Sequence, residues 1–300
     1  MNETVTLIDV STRDGFQDEP CFVATDEKVE VVRAIAAAGV REIEATSFVH
    51  PKWVPQLADA DALVPRLPKD ARLAALVLNV RGYERAREAF AAFSPGSYDL
   101  VFVVSASRRH HKANNNRQIE ESLDIFDAIA RPARAAGIAM CGAIACAFVS
   151  PYPDEAVDAE TVRAIADRYT KSGVVRITLA DTVGRADPFT VSRRLAEVQK
   201  ATPVRLSMHL HDSFGFGLAN VFAGLQAGVR SFEGALAGLG GCPFAPDAPG
   251  NLDLESLRDF VEACGFDTGI DREKLALARQ RVRAAVNGAD PLLANTGKSS

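Results

Sequence analysis

The chain has 300 residues, 47% of them hydrophobic and 24% charged, with a formal net charge of -5. That length fits one large α/β barrel or two ordinary domains, and the composition supports a substantial core rather than wholesale disorder. The acidic balance argues against a nucleic-acid partner, whose footprint would be a basic excess. The amino terminus lacks the basic start and long apolar run of a signal peptide. The most apolar stretch, residues 135–149, is too short to span a membrane and contains two glycines. The five cysteines (Cys21, Cys141, Cys146, Cys242 and Cys264) are odd in number, widely spaced and without a C-x-x-C pair. That pattern points to free thiols in a reducing cytoplasm rather than a disulfide framework.

Along the chain, β-branched apolar runs alternate with amphipathic runs rich in Ala, Arg and Glu. Strands are predicted at residues 4–10, 42–46, 72–79, 98–105, 139–147, 176–180, 205–210 and 231–234. Helices are predicted between them at 26–38, 81–93, 119–136, 155–171, 188–200, 217–227 and 254–264. Thr25-Asp26-Glu27 and Asp187-Pro188 read as helix starts, while Gly39, Gly137 and Gly173 read as helix ends. Eight strand–helix units of this kind predict an α/β fold, a (β/α)8 TIM barrel with an additional C-terminal helix at 272–287. Residues 1–287 then form one catalytic domain and 288–300 a frayed tail. A doubly wound open sheet is the alternative, but no G-x-G-x-x-G follows the first strand.

Barrels of this kind place their catalytic groups at the carboxyl ends of the strands. All five histidines (His50, His110, His111, His209 and His211) fall at predicted strand ends or just beyond, as do Asp14, Glu44, Asp181 and Cys242. In His209-Leu210-His211-Asp212 the two imidazoles are two residues apart, so on a strand they point the same way. Two such rings and a carboxylate from elsewhere suit a divalent metal with open positions. Two histidines packed at a strand end are the alternative. Asp14 could supply the carboxylate, although Asp-Gly is also a common turn pair. Arg13 beside it could neutralise an oxyanion or pair with a surface acid. Residues 238–251 are too rich in Gly and Pro for a helix or strand interior. They suit a phosphate-cradling loop or a mobile lid bearing Cys242.

Several motifs together resemble the 3-hydroxy-3-methylglutaryl-CoA lyase family. These are TIM-barrel metal-dependent lyases related to the isopropylmalate and homocitrate synthases. The motifs are Arg13-Asp14-Gly15-Phe16-Gln17, Ile43-Glu44-Ala45-Thr46-Ser47-Phe48, Pro51-Lys52-Trp53-Val54-Pro55-Gln56, Asp181-Thr182-Val183-Gly184, the H-x-H segment, and Gly-Leu-Gly-Gly-Cys-Pro running on to Asn251. The likeness covers residues 5–268. It implies Asp14, His209, His211 and Asn251 as metal ligands, for Mg2+ or Mn2+. It further implies Arg13 as the enolate-stabilising arginine, Cys242 as the lid cysteine, Glu44 and Asp181 as polar residues bordering substrate and metal, and Gln17 as a neighbour of the metal's water shell. The implied reaction is retro-Claisen cleavage of an acyl-CoA thioester to acetyl-CoA and a keto acid. Asp181, His209 or a metal-bound water could be its base. A homodimer or larger homo-oligomer, with no nucleic-acid or membrane partner, is implied as well.

The chain also departs from the family pattern. Ser107-Arg108-Arg109-His110-His111-Lys112 replaces the usual run after the fourth strand, Val149-Ser150-Pro151-Tyr152 lacks a usual cysteine, and His50, Asp9, Asp247 and Pro249 occupy positions where the family usually differs. Arg108, Arg109, His110 and His111 therefore form a possible specificity loop, with a solvated surface loop as the alternative. The changes cluster where the acyl group would lie, which points to 3-hydroxy-3-methylglutaryl-CoA or a close analogue as substrate. A Claisen-condensing acyltransferase using acetyl-CoA and an α-keto acid is the competing function. A catalytically idle paralogue that only binds CoA or metal is a third reading.

Overall fold

Eight parallel strands close into a barrel in chain order, each paired with the next and the last with the first. They are β1 (Thr6–Asp9), β2 (Glu42–Ser47), β3 (Arg72–Leu76), β4 (Tyr98–Ser105), β5 (Ala139–Ala145), β6 (Arg176–Asp181), β7 (Arg205–Leu210) and β8 (Ser231–Gly234). The helices are α1 (Thr25–Ala37), α2 (Ala60–Leu63), α3 (Val80–Ala89), α4 (Arg108–Asn115), α5 (Ile119–Ala135), α6 (Ala159–Ser172), α7 (Pro188–Ala201), α8 (Gly217–Gln226), α9 (Leu254–Ala263) and α10 (Arg272–Asn287). The computed structural model describes residues 3–241 and 250–288. Cys242, Asp247, Pro249 and residues 289–300 lie outside the described residues. The architecture is the α/β TIM barrel, and α10 is its additional C-terminal helix, packed on α1.

Most helix starts follow from the residues at their ends. The Asp187 carboxylate accepts the N–H of Thr190 at 3.0 Å ahead of Pro188, and Asp158 takes the N–H of Thr161 at 2.6 Å. Gly39, Gly137 and Gly173 all have positive φ and end their helices as expected. Thr25 departs from expectation. It is the first residue of α1 rather than its cap, because its hydroxyl donates to Asp59 at 2.8 Å. The same carboxylate takes the buried Lys28 ammonium at 2.8 Å. The helix expected from residue 155 begins at Ala159, since Asp158 caps it there. Residues 108–115 are not a loop but α4, with Ser107 as its capping residue.

Period-two alternation divides the buried residues into two layers. Outward residues such as Leu100, Phe102 and Val104 join Phe126 and Tyr169 of the helices in the main core. Inward residues of β3, β4 and β5 (Ala74, Leu76, Val101 and Cys141) make a separate apolar cluster, with Leu78, Val103 and Ala143 half-buried against it. Across the barrel the inward positions are polar: Thr178, His209, Glu233 and Glu44 are all buried. Toward the carboxyl ends of the strands the interior is therefore apolar on one side and ionic on the other, whereas near their amino ends Asp99 of β4 pairs with Arg72 of β3.

Candidate active site

The chain leaves β1 in a tight π-helical turn, Ser11–Gly15, in which the N–H groups of Asp14 and Gly15 both reach the Val10 carbonyl, at 2.8 and 3.0 Å. Thr12 ties this turn to β2 by donating its hydroxyl to Ala45 O at 3.0 Å. Arg13 and Asp14 are thereby fixed at the carboxyl end of the barrel. The Arg13 guanidinium pairs with Asp14 and donates Nε to Glu44 at 2.5 Å. It stands between two carboxylates.

His209 lies inward on β7 and His211 just beyond it, with their Nε2 atoms 3.2 Å apart. Asp14 Oδ2 is 3.8 Å from His209 Nε2. One ligand atom from each of Asp14, His209 and His211 falls within 4.8 Å of the others. Asn251 reaches the cluster because its backbone bridges His211 in antiparallel fashion. Its amide nitrogen donates to Asp14 Oδ2 at 2.9 Å and to the Leu239 carbonyl at 2.8 Å. A carbonyl can only accept, so this second bond settles which end of the amide is nitrogen. The other end, Asn251 Oδ1, is buried without a hydrogen-bond partner. An orphaned buried carbonyl oxygen is costly. A carboxylate, two imidazole nitrogens and that oxygen fit a divalent cation in both donor chemistry and arrangement.

The glycine-rich segment brings the chain close to these groups. At Gly240, with φ of +98°, a Cβ would stand 2.5 Å from Asn251 Nδ2 and 3.0 Å from the Asp14 carbonyl oxygen. Only glycine allows that approach.

Burial works against charge on Asp14, but the charges on Arg13, His209 and His211 and the Asn251 amide outweigh it and bring its pKa down to about 2. Burial pushes Glu44 upward despite the Arg13 charge. His209 is held above the usual histidine range. Burial opposes its charged form, but the Glu233 hydrogen bond and charge prevail. Glu233 is the residue that sequence reasoning missed. It sits beside His209 in the β7–β8 register, and its carboxylate meets His209 Nδ1 at 2.9 Å.

The remaining expected residues are placed differently. The Asp181 carboxylate is buried at the end of β6 and accepts the N–H groups of Ala186 at 2.9 Å and Arg185 at 3.3 Å. Burial raises its pKa to about 6. Its backbone carbonyl receives the His211 N–H at 3.3 Å, so the turn it closes abuts the imidazole pair. Gln17 is half-buried after the π-turn and adds no side-chain hydrogen bond among the described residues. Arg108 pairs with Glu120 at 3.0 Å, while Arg109 pairs with Asp154 at 2.5 Å and lies 4.0 Å over the Tyr152 ring. His110 and His111 are buried rather than solvated. The basic run thus splits into two outward guanidiniums and two inward rings. No helix among the described residues is long and apolar enough to cross a membrane.

A closed eight-stranded barrel with an acid–imidazole–amide cluster at the carboxyl ends of its strands defines the class of TIM-barrel enzymes. Comparison with known proteins narrows the class. The HMGL-like family model matches residues 4–282. The (R)-citramalyl-CoA lyase of Chloroflexus aurantiacus is 39% identical, over 99% of this chain and 95% of that protein. The mitochondrial hydroxymethylglutaryl-CoA lyase of Homo sapiens is 36% identical, over 94% of this chain and 86% of that protein. An HMG-CoA lyase from Acinetobacter baumannii, solved with coenzyme A and 3-methylmalate, superposes with a TM-score of 0.88 at 35% identity, covering 99% of this chain and 96% of that one. The chain belongs to the HMGL-like family and is a lyase.

Proposed function

We propose that the enzyme cleaves a carbon–carbon bond in a coenzyme A thioester that bears a tertiary hydroxyl at C3 and one free carboxylate, giving acetyl-CoA and a keto acid. Hydroxymethylglutaryl-CoA and citramalyl-CoA, the substrates named for its relatives, both have this form. The observation that carries the reading is the convergence of Asp14, His209 and His211 on one point, with the unpartnered Asn251 oxygen beside them.

These four residues would hold the divalent ion, and their mixed oxygen and imidazole donors suit Mg2+ or Mn2+. Bound there, such an ion supplies Lewis acidity, lowering the pKa of the tertiary hydroxyl and polarising the carbon that becomes the ketone. When the hydroxyl proton passes to a base, with Asp181, His209 and water as its candidates, the C3–oxygen bond becomes the ketone, the C2–C3 bond breaks and its electron pair passes to the thioester as an enolate. Arg13, held rigidly between Asp14 and Glu44, supplies the positive charge facing that enolate oxygen. Cys242 returns a proton to C2. Asp181 anchors the turn behind the imidazoles through its backbone donors. The apolar wall of Leu78, Val103 and Ala143 takes the uncharged C3 substituent.

A condensing enzyme needs a free cationic group to hold the carboxylate of its keto-acid acceptor. Arg108 and Arg109 are occupied by Glu120 and Asp154, which favours the lyase.

The test is a panel of such thioesters, including hydroxymethylglutaryl-CoA and citramalyl-CoA, incubated with Mn2+ or Mg2+ and analysed by mass spectrometry. Acetyl-CoA and the matching keto acid are expected, and a chelator should abolish both. Absence of acetyl-CoA from every member would defeat the proposal.

A further inference from the structure

Glu233 belongs to none of the sequence motifs, yet its carboxylate is in hydrogen-bond contact with His209. It lies inward on β8 and is only 6% exposed. One oxygen contacts His209 Nδ1 at 2.9 Å, and the other accepts the Thr178 hydroxyl of β6 at 2.8 Å. The strand register sets both contacts: His209 is paired with Glu233 across β7 and β8, and Thr178 with Ser207 across β6 and β7.

An ionised carboxylate can only accept, so its contact with Nδ1 places the ring's proton there. An imidazole protonated on Nδ1 presents a lone pair at Nε2. That lone pair faces His211 Nε2 at 3.2 Å and Asp14 Oδ2 at 3.8 Å. Without the restraint, a neutral His209 could carry its proton on Nε2 and donate it to His211, closing the ligand position. We infer that Glu233 is a positioning residue for the metal centre: it fixes His209 as the Nδ1–H tautomer, and Thr178 fixes Glu233 in turn. This rests on the metal-dependent reading above. The contacts of Glu233 are with His209 and Thr178, so it acts through His209.

The experiment uses the full chain and titrates Mn2+, following free Mn2+ by electron paramagnetic resonance. Glu233→Gln keeps the shape but can turn its amide either way, so it no longer dictates the tautomer. It is expected to weaken Mn2+ binding roughly 10- to 100-fold. Ser207→Ala is the structural control. It removes a buried hydroxyl that donates to Ser231 O at 3.1 Å, on the same strand as His209. Its affinity should match that of the unaltered protein. Long-range 15N–1H spectra of metal-free protein, at a pH where the ring is neutral, should show His209 as Nδ1–H, and a tautomer mixture in Glu233→Gln. Should Glu233→Gln not fold, Thr178→Val keeps the carboxylate and removes its anchor. A partial loss of Mn2+ affinity is expected there, and unchanged affinity would overturn the inference. Equal affinity in Glu233→Gln and the unaltered protein overturns it, as does an equal loss in Ser207→Ala. An unaltered protein that binds no Mn2+ overturns the metal reading itself, and the positioning role with it.

Discussion

Arg13 shows how little freedom the residues of this site retain. Two carboxylates hold its guanidinium, one its chain neighbour and one from β2. A cation fixed in this way needs no reorganisation when negative charge develops in front of it. His111, at the edge of the barrel, shows the opposite use of an imidazole. Its Nδ1 accepts the Ser105 N–H at 3.2 Å and its Nε2 meets the Ser122 hydroxyl at 2.9 Å. A proton on Nδ1 would break the first bond, and burial pushes the ring's pKa down to about 4. In the unfolded chain the ring titrates near the ordinary histidine value of 6.5. The unfolded state therefore binds more protons between those two values. The stability supplied by neutral His111 is fully present above the higher value and is lost as the pH falls toward the lower one. Unfolding free energies of the unaltered protein and His111→Gln, measured by urea denaturation from pH 7.5 to 4.5, should converge as the pH falls. Parallel profiles would show that His111 does not titrate in this way.

At the scale of elements, the barrel was legible because each strand carries its own local signal. Period-two and apolar runs located all eight strands, and the H-x-H of β7 aimed its rings without any tertiary knowledge. Two features were not legible. The link between Glu233 and His209 depends on the β7–β8 register, which no local pattern encodes. Helix α4 was hidden by its charge: Arg108, Arg109 and Lys112 read as loop, although Ser107 offered a capping residue and His110 and His111 its buried face. Packing between elements is equally specific. A Cβ at Gly142 of β5 would collide with the Tyr169 ring of α6, whose hydroxyl donates to Phe102 O at 3.0 Å. Gly142→Ala should cost about 1–3 kcal/mol by overpacking. Its melting temperature should fall accordingly, and an unchanged value would mean that α6 moves freely on the sheet.

For the molecule as a whole, the carboxyl-end part of the barrel interior is divided between an apolar half on β3, β4 and β5 and a charged half opposite. The ionic half runs from Glu233 and Thr178 through His209 to Asp14, Arg13 and Glu44. A ligand entering from the carboxyl end therefore meets a guanidinium, imidazoles and carboxylates on one side and an apolar wall on the other. The motifs of that ionic half were legible because they lie within short segments; its closure into one site required the barrel. The most direct measurement is anomalous diffraction at the manganese edge from crystals soaked in Mn2+. A single strong peak bounded by Asp14, His209, His211 and Asn251 is expected, and it should be lost in Asp14→Ala. Crystals of active enzyme with no peak there, or with manganese bound only elsewhere, would contradict the account.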